Sequence, residues 1–415
     1  MPYTTTISIF VSLCLLVTAY FWGVKRAIAT KRSQTALSTQ VKFHSLPGFH
    51  GAYVAIWCAI PSLVLFVAWQ TLRPNFLPQW LAQDMAGLVL LISAGILGLF
   101  FAQKRIASRF KARHKVETAF SLVMLLSSLV AVFTTFGVVV SLVFETMRFF
   151  SKVSVSEFLF GLHWSPQIAL RADQVASSGS FGAVSIFAGT LLITAIAMLI
   201  AVPIGLFSAI YMSEYATPKF RTWAKPLLEI LAGIPTVVYG FFAALTIAPF
   251  MRNWGFELGL EISSESAMAA GLVMGVMIIP FVSSLSDDVI NAVPQTLRDG
   301  SAALGATKSE TIRLVLLPAA LPGIVSSVLL ATSRAIGETM IVVMAAGLAA
   351  NLTANPFQAV TTVTVQILTL LVGDQEFDSP KTLAAFALGF VLFLLTLGLN
   401  ILALKIVNKY REKYD

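Results

Sequence analysis

The chain has 415 residues, of which 57% are hydrophobic and only 12% are charged. An average soluble domain carries roughly 25% charged residues, so this composition excludes an ordinary water-soluble protein. The net charge is +8, from 28 Lys and Arg against 20 Asp and Glu. Such a charge suits a nucleic-acid partner only if the basic residues are gathered on one face, so their placement decides what it means.

Nine apolar runs are long enough to cross a hydrocarbon core of about 30 Å, and they predict an all-α integral membrane protein. A tenth run, 359–372, has only 14 residues. We expect it to form an interfacial or re-entrant helix instead of a crossing. The nine predicted transmembrane helices are Ile7–Val24, Ala52–Trp69, Met85–Ala102, Ala119–Phe144, Ile186–Tyr211, Leu227–Phe250, Ala267–Leu285, Ile324–Leu348 and Leu383–Leu404.

The basic residues support this topology. With nine crossings and a cytoplasmic C-terminus, 21 of the 28 lie on the inner side and six on the outer side, and Arg334 falls inside a span. An excess of Lys and Arg in cytoplasmic loops is typical of membrane proteins. We therefore predict a periplasmic N-terminus, lipid as the partner of most of the surface, and no nucleic-acid partner.

Several chemistries are not expected. The sequence has no Gly-x4-Gly-Lys-Ser/Thr run, so the chain is not expected to bind nucleotide phosphates through a P-loop or to hydrolyse ATP. It has no Cys pair at metal-binding spacing, and its four His fall outside the predicted spans. We predict no metal site, no cofactor and no enzymatic activity.

The longest cytoplasmic segment, 287–323, is called the elbow below. Gly305 suits a helix end, and Thr307 and Glu310 have the spacing of a capping box. These signals predict two short helices joined at a glycine, the second ending before Pro318. An exposed helical hairpin of this kind suits a groove on a partner protein.

The elbow resembles the EAA loop by which permeases of bacterial ABC importers engage their ATPase subunits. The spacing matches, but Asp replaces the usual Glu and Gly-Ser replaces Ala-Ala. The resemblance implies ATPase coupling by Asp299, Gly300, Ser301, Gly305, Val315, Leu317 and Pro318.

Three segments together, 231–240, 304–307 and 334–340, resemble the phosphate ABC importer permeases, PstC type. The resemblance covers about 116–415 and implies a six-span permease domain with the elbow as its coupling loop. It also implies a bacterial inner membrane location, inorganic phosphate as cargo, a second, PstA-like permease subunit, a pair of ATPase subunits and a periplasmic phosphate-binding protein. Basic breaks in hydropathy separate a three-span N-terminal extension, 1–115, whose role the resemblance does not supply.

Two charged residues, Arg334 and Glu338, fall in the middle of the predicted span 324–348. Their i, i+4 spacing puts both on one face of a helix, and charge at that depth does not face lipid. One interpretation is a structural ion pair. The other, favoured by the resemblance, is that Arg334 contacts the oxyanion in transit while Glu338 holds its guanidinium.

A kink is predicted at Gly233 and Pro235, since proline frees the carbonyl of the residue four positions earlier. Thr236 and Tyr239 follow at once, and we expect their hydroxyls near the substrate path.

The outer loop 145–181 is rich in aromatic residues, which suit either contact with the binding protein or an aromatic belt at the lipid headgroups. Two further functions also fit the sequence: a membrane-embedded sensor or scaffold, and a permease for another tetrahedral oxyanion such as molybdate or sulfate.

Overall fold

A computed structural model describes residues 2–36, 44–76, 84–107, 110–166, 179–372 and 378–410, and these are almost entirely helical. Two short strands pair antiparallel, with Trp164 opposite Phe181. The elements, in order, are α1 Pro2–Ala36, α2 Pro47–Phe76, α3 Asp84–Lys104, α4 Ala112–Phe150, α5 Val155–Phe160, β1 Trp164–Ser165, β2 Ser180–Phe181, α6 Val184–Ile210, α7 Pro218–Gly233, α8 Thr236–Phe242, α9 Ala248–Glu257, α10 Ala267–Asn291, α11 Gln295–Ala303, α12 Lys308–Thr311, α13 Leu317–Ile336, α14 Met340–Ala345, α15 Val363–Leu371 and α16 Pro380–Tyr410.

Within the described ranges, eight helices are long and apolar enough to span a membrane, and a sharply bent pair, Pro218–Gly233 and Thr236–Glu257, makes nine. Each of the nine predicted spans overlaps one of these segments, which confirms the predicted architecture. The tenth apolar run contains only α15, whose nine residues are too few to cross.

The eighth predicted span, 324–348, is wrong in its limits. The helix that crosses runs from Lys308 to Ile336 and then stops. Gly337 and Glu338 are not helical, and α14 begins only after this break. Hydropathy located the apolar residues but not the interruption, because a break in a helix is a matter of backbone hydrogen bonding.

The predicted helix end before Pro318 is also wrong. Residues Ile312–Leu316 form a π-helical turn, in which the N–H of Leu317 bonds to the carbonyl of Ile312. This wider turn places Pro318 in the first turn of α13, where a missing N–H is tolerated. The chain therefore passes from the elbow into the membrane span without leaving a helical path.

The chain divides into two compact units, Met1–Phe136 and Gly137–Asp415. The first contains α1 to α3 and the start of α4, packed around Ala19, Tyr53, Val54, Cys58 and Ala102. The predicted boundary at 115 lies in the first turns of α4, so the two-domain division of the sequence stays a prediction.

The second unit is built around α6 and α10. Its core includes Ile193, Ala197, Met274 and Ile278, and it extends onto α8, α13 and α14. Close contact depends on small side chains: a methyl group at Gly275 would lie 3.0 Å from the carbonyl oxygen of Ala197. The packed α6 and α10 form the fixed wall against which the other elements of this unit are placed.

Two aromatic residues of the outer loop, Phe149 and Phe158, are core residues. Both are fully buried, and their ring centres lie 5.2 Å apart. Phe150 contacts both rings, and Phe181 contacts Phe149, at 5.4 to 5.6 Å. The prediction that this loop offers its aromatic rings to a partner or to lipid headgroups is therefore wrong for these two residues. Phe160 is exposed, so its ring is accessible to a partner protein or to lipid headgroups.

Candidate functional site

The sharpest bend of the second unit lies where the sequence predicts a kink. Helix α7 ends at Gly233, α8 begins at Thr236, and the two segments meet at 84°. The Tyr239 hydroxyl donates a 2.7 Å hydrogen bond to the carbonyl of Leu231, which is the group that Pro235 leaves without its helical donor. Tyr239 thus stabilises the bend from within, and its side chain is buried.

A cavity of about 280 Å³ lies between α7, α10 and α13. Its α7 wall is one helix face, formed by Lys225, Leu228, Glu229 and Ala232 at positions i, i+3, i+4 and i+7. The remaining lining residues are Met212, Met277, Pro280, Phe281, Ser283, Ser284, Asp287 and Arg334. An apolar body with a few charged and hydroxyl groups is typical of a small-molecule site.

Arg334 belongs to the last turn of α13 and lines this cavity, with its guanidinium carbon 5.7 Å from the centre of the Phe281 ring. Within the described residues no carboxylate oxygen lies within 4.0 Å of its nitrogens. The side chain is exposed in the isolated chain. Arg334 therefore presents an unpaired cation to the cavity.

Glu338 does not pair with Arg334, which corrects the i, i+4 arrangement predicted from the sequence. The helix ends between the two residues, so their side chains no longer share a helical face. Glu338 Oε1 instead accepts the backbone N–H groups of Thr339, at 3.2 Å, and Met340, at 3.1 Å. Its own carbonyl accepts the Thr364 hydroxyl at 2.9 Å. Glu338 holds the break between α13 and α14 in place.

Of the four predicted path residues, Arg334 alone lines the cavity in the described part of the chain. Thr236 is half-buried at the start of α8, and Tyr239 and Glu338 use their polar atoms within the fold. Tyr239 and Glu338 thereby stabilise the two helix breaks, one after Gly233 and one after Ile336.

Sequence reasoning missed an ionic cluster at the end of the cavity nearest the elbow. Asp287 is 1% exposed and accepts hydrogen bonds from Arg221 Nη2 at 2.8 and 3.1 Å, Lys225 Nζ at 3.2 Å and Asn291 Nδ2 at 2.9 Å. A buried carboxylate requires such partners. The sequence carried little signal, because Asp287 lies more than 60 positions from its two cations and resembles an ordinary interfacial charge.

The elbow has the two helices predicted for it. Helix α11 ends at a turn in which Gly305 has a φ of 84°, a conformation that favours glycine. The capping box is present: Thr307 N–H donates to Glu310 Oε2 at 2.8 Å, and Glu310 N–H donates to Thr307 Oγ1 at 3.4 Å. Leu304, at the tip, is 90% exposed.

A buried ion pair joins the elbow to the end of α6, where Tyr211–Tyr215 form a π-helical turn. Arg298 contacts Glu214 Oε1 through Nη2 at 2.9 Å and Nε at 3.2 Å, and the two side chains are 15% and 10% exposed. Arg298 also donates to the carbonyls of Val293 and Ile290. These contacts connect the elbow to the end of α6.

The predicted coupling residues divide into two groups. Asp299, Gly300, Gly305 and Pro318 are exposed, whereas Val315 and Leu317 are partly buried, and Leu317 packs against a core that the elbow shares with the end of α6. Ser301 is buried and shares a 2.9 Å hydrogen bond with the Thr311 hydroxyl, which holds the two arms of the elbow together. The exposed group can contact a partner directly, and the other residues fix the shape of the elbow.

Multiple membrane spans, a cavity that contains the unpaired Arg334, and an exposed elbow together are the arrangement of a membrane permease. A family model described as "Binding-protein-dependent transport system inner membrane component" matches residues 201–412. The chain belongs to this family. It is a multi-pass inner membrane permease subunit of an ABC transporter and not itself an enzyme; ATP hydrolysis belongs to a separate subunit.

A second family model, described as "Phosphate ATP-binding cassette transporter", matches residues 9–93, in the N-terminal unit. The chain is 35% identical to the probable ABC transporter permease protein YqgH of Bacillus subtilis, over 63% of this chain and 80% of that protein. It is 32% identical to the phosphate transport system permease protein PstC of Mesorhizobium japonicum, with the same shares covered. It is 30% identical to PstC of Haemophilus influenzae, over 72% of this chain and 95% of that one.

Proposed function

We propose that this chain is the permease subunit that carries inorganic phosphate across the inner membrane in an ATP-driven importer. The observation that carries the proposal is the unpaired guanidinium of Arg334 on the wall of a cavity in a family permease. The PstC relatives and the phosphate transporter model over 9–93 support phosphate in particular.

The chemistry of Arg334 suits a tetrahedral oxyanion. A guanidinium presents a planar fork of N–H donors that matches two oxygens of a phosphate, and its charge does not depend on pH. Because no carboxylate pairs with it in the described chain, no internal ion pair has to break before the anion binds. Glu338 supports this role indirectly, by holding the break just after Arg334.

The elbow supports the proposed partners. Its anchored base and its exposed apolar tip at Leu304 suit docking to an ATPase subunit, which we propose acts as a dimer. A second, PstA-like permease would complete the path beside this chain, and a periplasmic phosphate-binding protein would deliver cargo from outside. The uneven distribution of basic residues supports a periplasmic N-terminus and a cytoplasmic C-terminus.

The test is uptake of radiolabelled phosphate by vesicles that contain the whole importer, with Arg334→Lys as the variant and Arg252→Lys, on the exposed outer side, as its matched control. A lysine keeps the charge but loses the fork, so we expect uptake to fall about tenfold or more in Arg334→Lys alone. Normal uptake by a correctly assembled Arg334→Lys variant would contradict the assigned role.

The same vesicles separate the rival functions. An oxyanion permease of different specificity would accumulate labelled sulfate or molybdate in preference to phosphate. A sensor or scaffold would leave uptake through an independently expressed importer intact when this chain is deleted.

A further inference from the structure

The cytoplasmic end of the cavity contains a second cation, Lys225. Its Nζ lies 3.2 Å from Asp287 Oδ2 and 3.5 Å from Asp288 Oδ1, and the residue lines the same cavity as Arg334. Arg334 lies over Phe281, six residues before Asp287 on α10, which corresponds to about 9 Å along the helix. Lys225 therefore lies nearer the elbow than Arg334 does, which in the predicted topology is the cytoplasmic side.

Lys225 is the cation that Asp287 can release. Arg221 Nη2 contacts both oxygens of Asp287, at 2.8 and 3.1 Å, and Asn291 Nδ2 contacts Oδ1 at 2.9 Å. Lys225 contributes a single, longer contact. A buried charge is strongly destabilising when it loses its last partner. Departure of Lys225 leaves Asp287 with a guanidinium and an amide donor, so the carboxylate stays compensated.

A hydroxyl without a partner lies on the same cavity wall. Ser283 is fully buried, and its Oγ has no hydrogen-bond partner in the described part of the chain. Buried hydroxyl groups are normally satisfied, so an unpaired one that lines a cavity indicates a place for a ligand or a water. An ammonium and a hydroxyl on neighbouring walls offer two donors to an anion.

We propose that Lys225 and Ser283 form an inner phosphate site, on the cytoplasmic side of Arg334. Phosphate that leaves Arg334 replaces Asp287 as the partner of Lys225 and accepts the Ser283 hydroxyl, and Asp287 keeps Arg221. When phosphate departs, Lys225 returns to Asp287. The exchange is entirely non-covalent. It deepens, and rests on, the proposed phosphate transport, because it names further residues that contact the cargo.

The test is equilibrium binding of radiolabelled inorganic phosphate to the purified complete complex, without ATP and without the binding protein. We expect Lys225→Gln to weaken binding about tenfold or more, as loss of a charge-assisted contact does. Lys219→Gln is the matched control, since it removes the same charge from an exposed position of the same helix outside the cavity. Equal phosphate affinity in the two variants would overturn the proposal.

Ser283→Ala tests the site without disturbing an ion pair. Removing a buried hydroxyl that has no partner should leave thermal stability unchanged or raised. Phosphate binding should nevertheless weaken about threefold or more. If Ser283→Ala binds phosphate as the unmodified complex does, the inner site is refuted, even if Lys225→Gln fails to assemble.

Failure of this inference is distinguishable from failure of the proposed function. An unmodified complex that neither binds nor transports phosphate refutes both. An unmodified complex that does both, with Lys225→Gln indistinguishable from Lys219→Gln, refutes only the inner site. A phosphate group of a lipid would make the same contacts, so the binding is repeated with phosphatidylglycerol. If phosphatidylglycerol displaces labelled phosphate from the unmodified complex but not from Lys225→Gln, the occupant of the site is a lipid headgroup. That result would overturn the free-phosphate site.

Discussion

The link between the elbow and α6 depends on Arg298. Replacing it with Met leaves Glu214 without this guanidinium, in surroundings where its side chain is only 10% exposed, and leaves the carbonyls of Val293 and Ile290 without this donor. Removing one partner of a buried ion pair costs about 3–5 kcal/mol. Because this pair is slightly exposed, the lower value applies, and about 3 kcal/mol corresponds to roughly a hundredfold rise in local opening.

Hydrogen–deuterium exchange of the complete complex measures that opening directly. In Arg298→Met, the amides of Gln295–Ala303 should exchange about a hundredfold faster, and ATP hydrolysis should depend less on transport. Arg313→Met, an exposed elbow residue without an ion pair in the described chain, is the control. The double variant Arg298→Met with Glu214→Leu should recover much of the protection, since no lone charge stays buried. Exchange in Arg298→Met at the rate of the control would refute the anchoring role.

Three further predictions concern the glycines and helix breaks, each measured by thermal unfolding of the purified complex. Gly305→Ala should lower the free energy of unfolding by about 1–2 kcal/mol because of its positive φ, whereas Gly300→Ala, inside a helix with free space in this chain, should raise it by about 0.5–1 kcal/mol. This pair is measured after removal of the ATPase subunits, and equal effects would contradict the assigned backbone roles. Tyr239→Phe should lower the free energy of unfolding by about 1 kcal/mol, because it loses the hydrogen bond to the Leu231 carbonyl, and should leave phosphate affinity unchanged. A weakened phosphate affinity would instead place Tyr239 on the substrate path. Glu338→Gln should preserve the break between α13 and α14, because an amide oxygen accepts the same two N–H groups. Glu338→Ala should lower the free energy of unfolding by about 1–2 kcal/mol. Equal stability of the two variants would exclude a role for the Glu338 side chain in holding the break.

The membrane architecture could be predicted from properties of short stretches of the chain. Hydropathy over some 20 residues and the sidedness of basic residues require no knowledge of which helices touch, and the nine predicted spans overlap nine observed segments. The capping box at Thr307 and the turn at Gly305 were predictable for the same reason, since each depends on residues within one turn of each other.

The errors occurred where backbone hydrogen bonding departs from the regular helix. Pro318 suggested a helix end, but a π-helical turn accommodates it. The run 324–348 read as one helix, but Gly337 and the inward-turned carboxylate of Glu338 divide it. Neither feature changes hydropathy, so neither alters the signal from which a span is predicted.

The sequence by itself determined nine membrane spans and a two-helix elbow, because hydropathy, charge sidedness and helix-capping signals are local properties, and its short motifs carried the resemblance to ABC importer permeases. Only the tertiary structure decided which charges meet. It separated Arg334 from Glu338, its neighbour in sequence, and joined Asp287 to Arg221 and Lys225, more than 60 positions away. The physical reasons differ: the helix break after Ile336 removes the i, i+4 relation of Arg334 and Glu338, whereas packing of α7 against α10 brings Asp287 within 4 Å of cations that are distant in the chain.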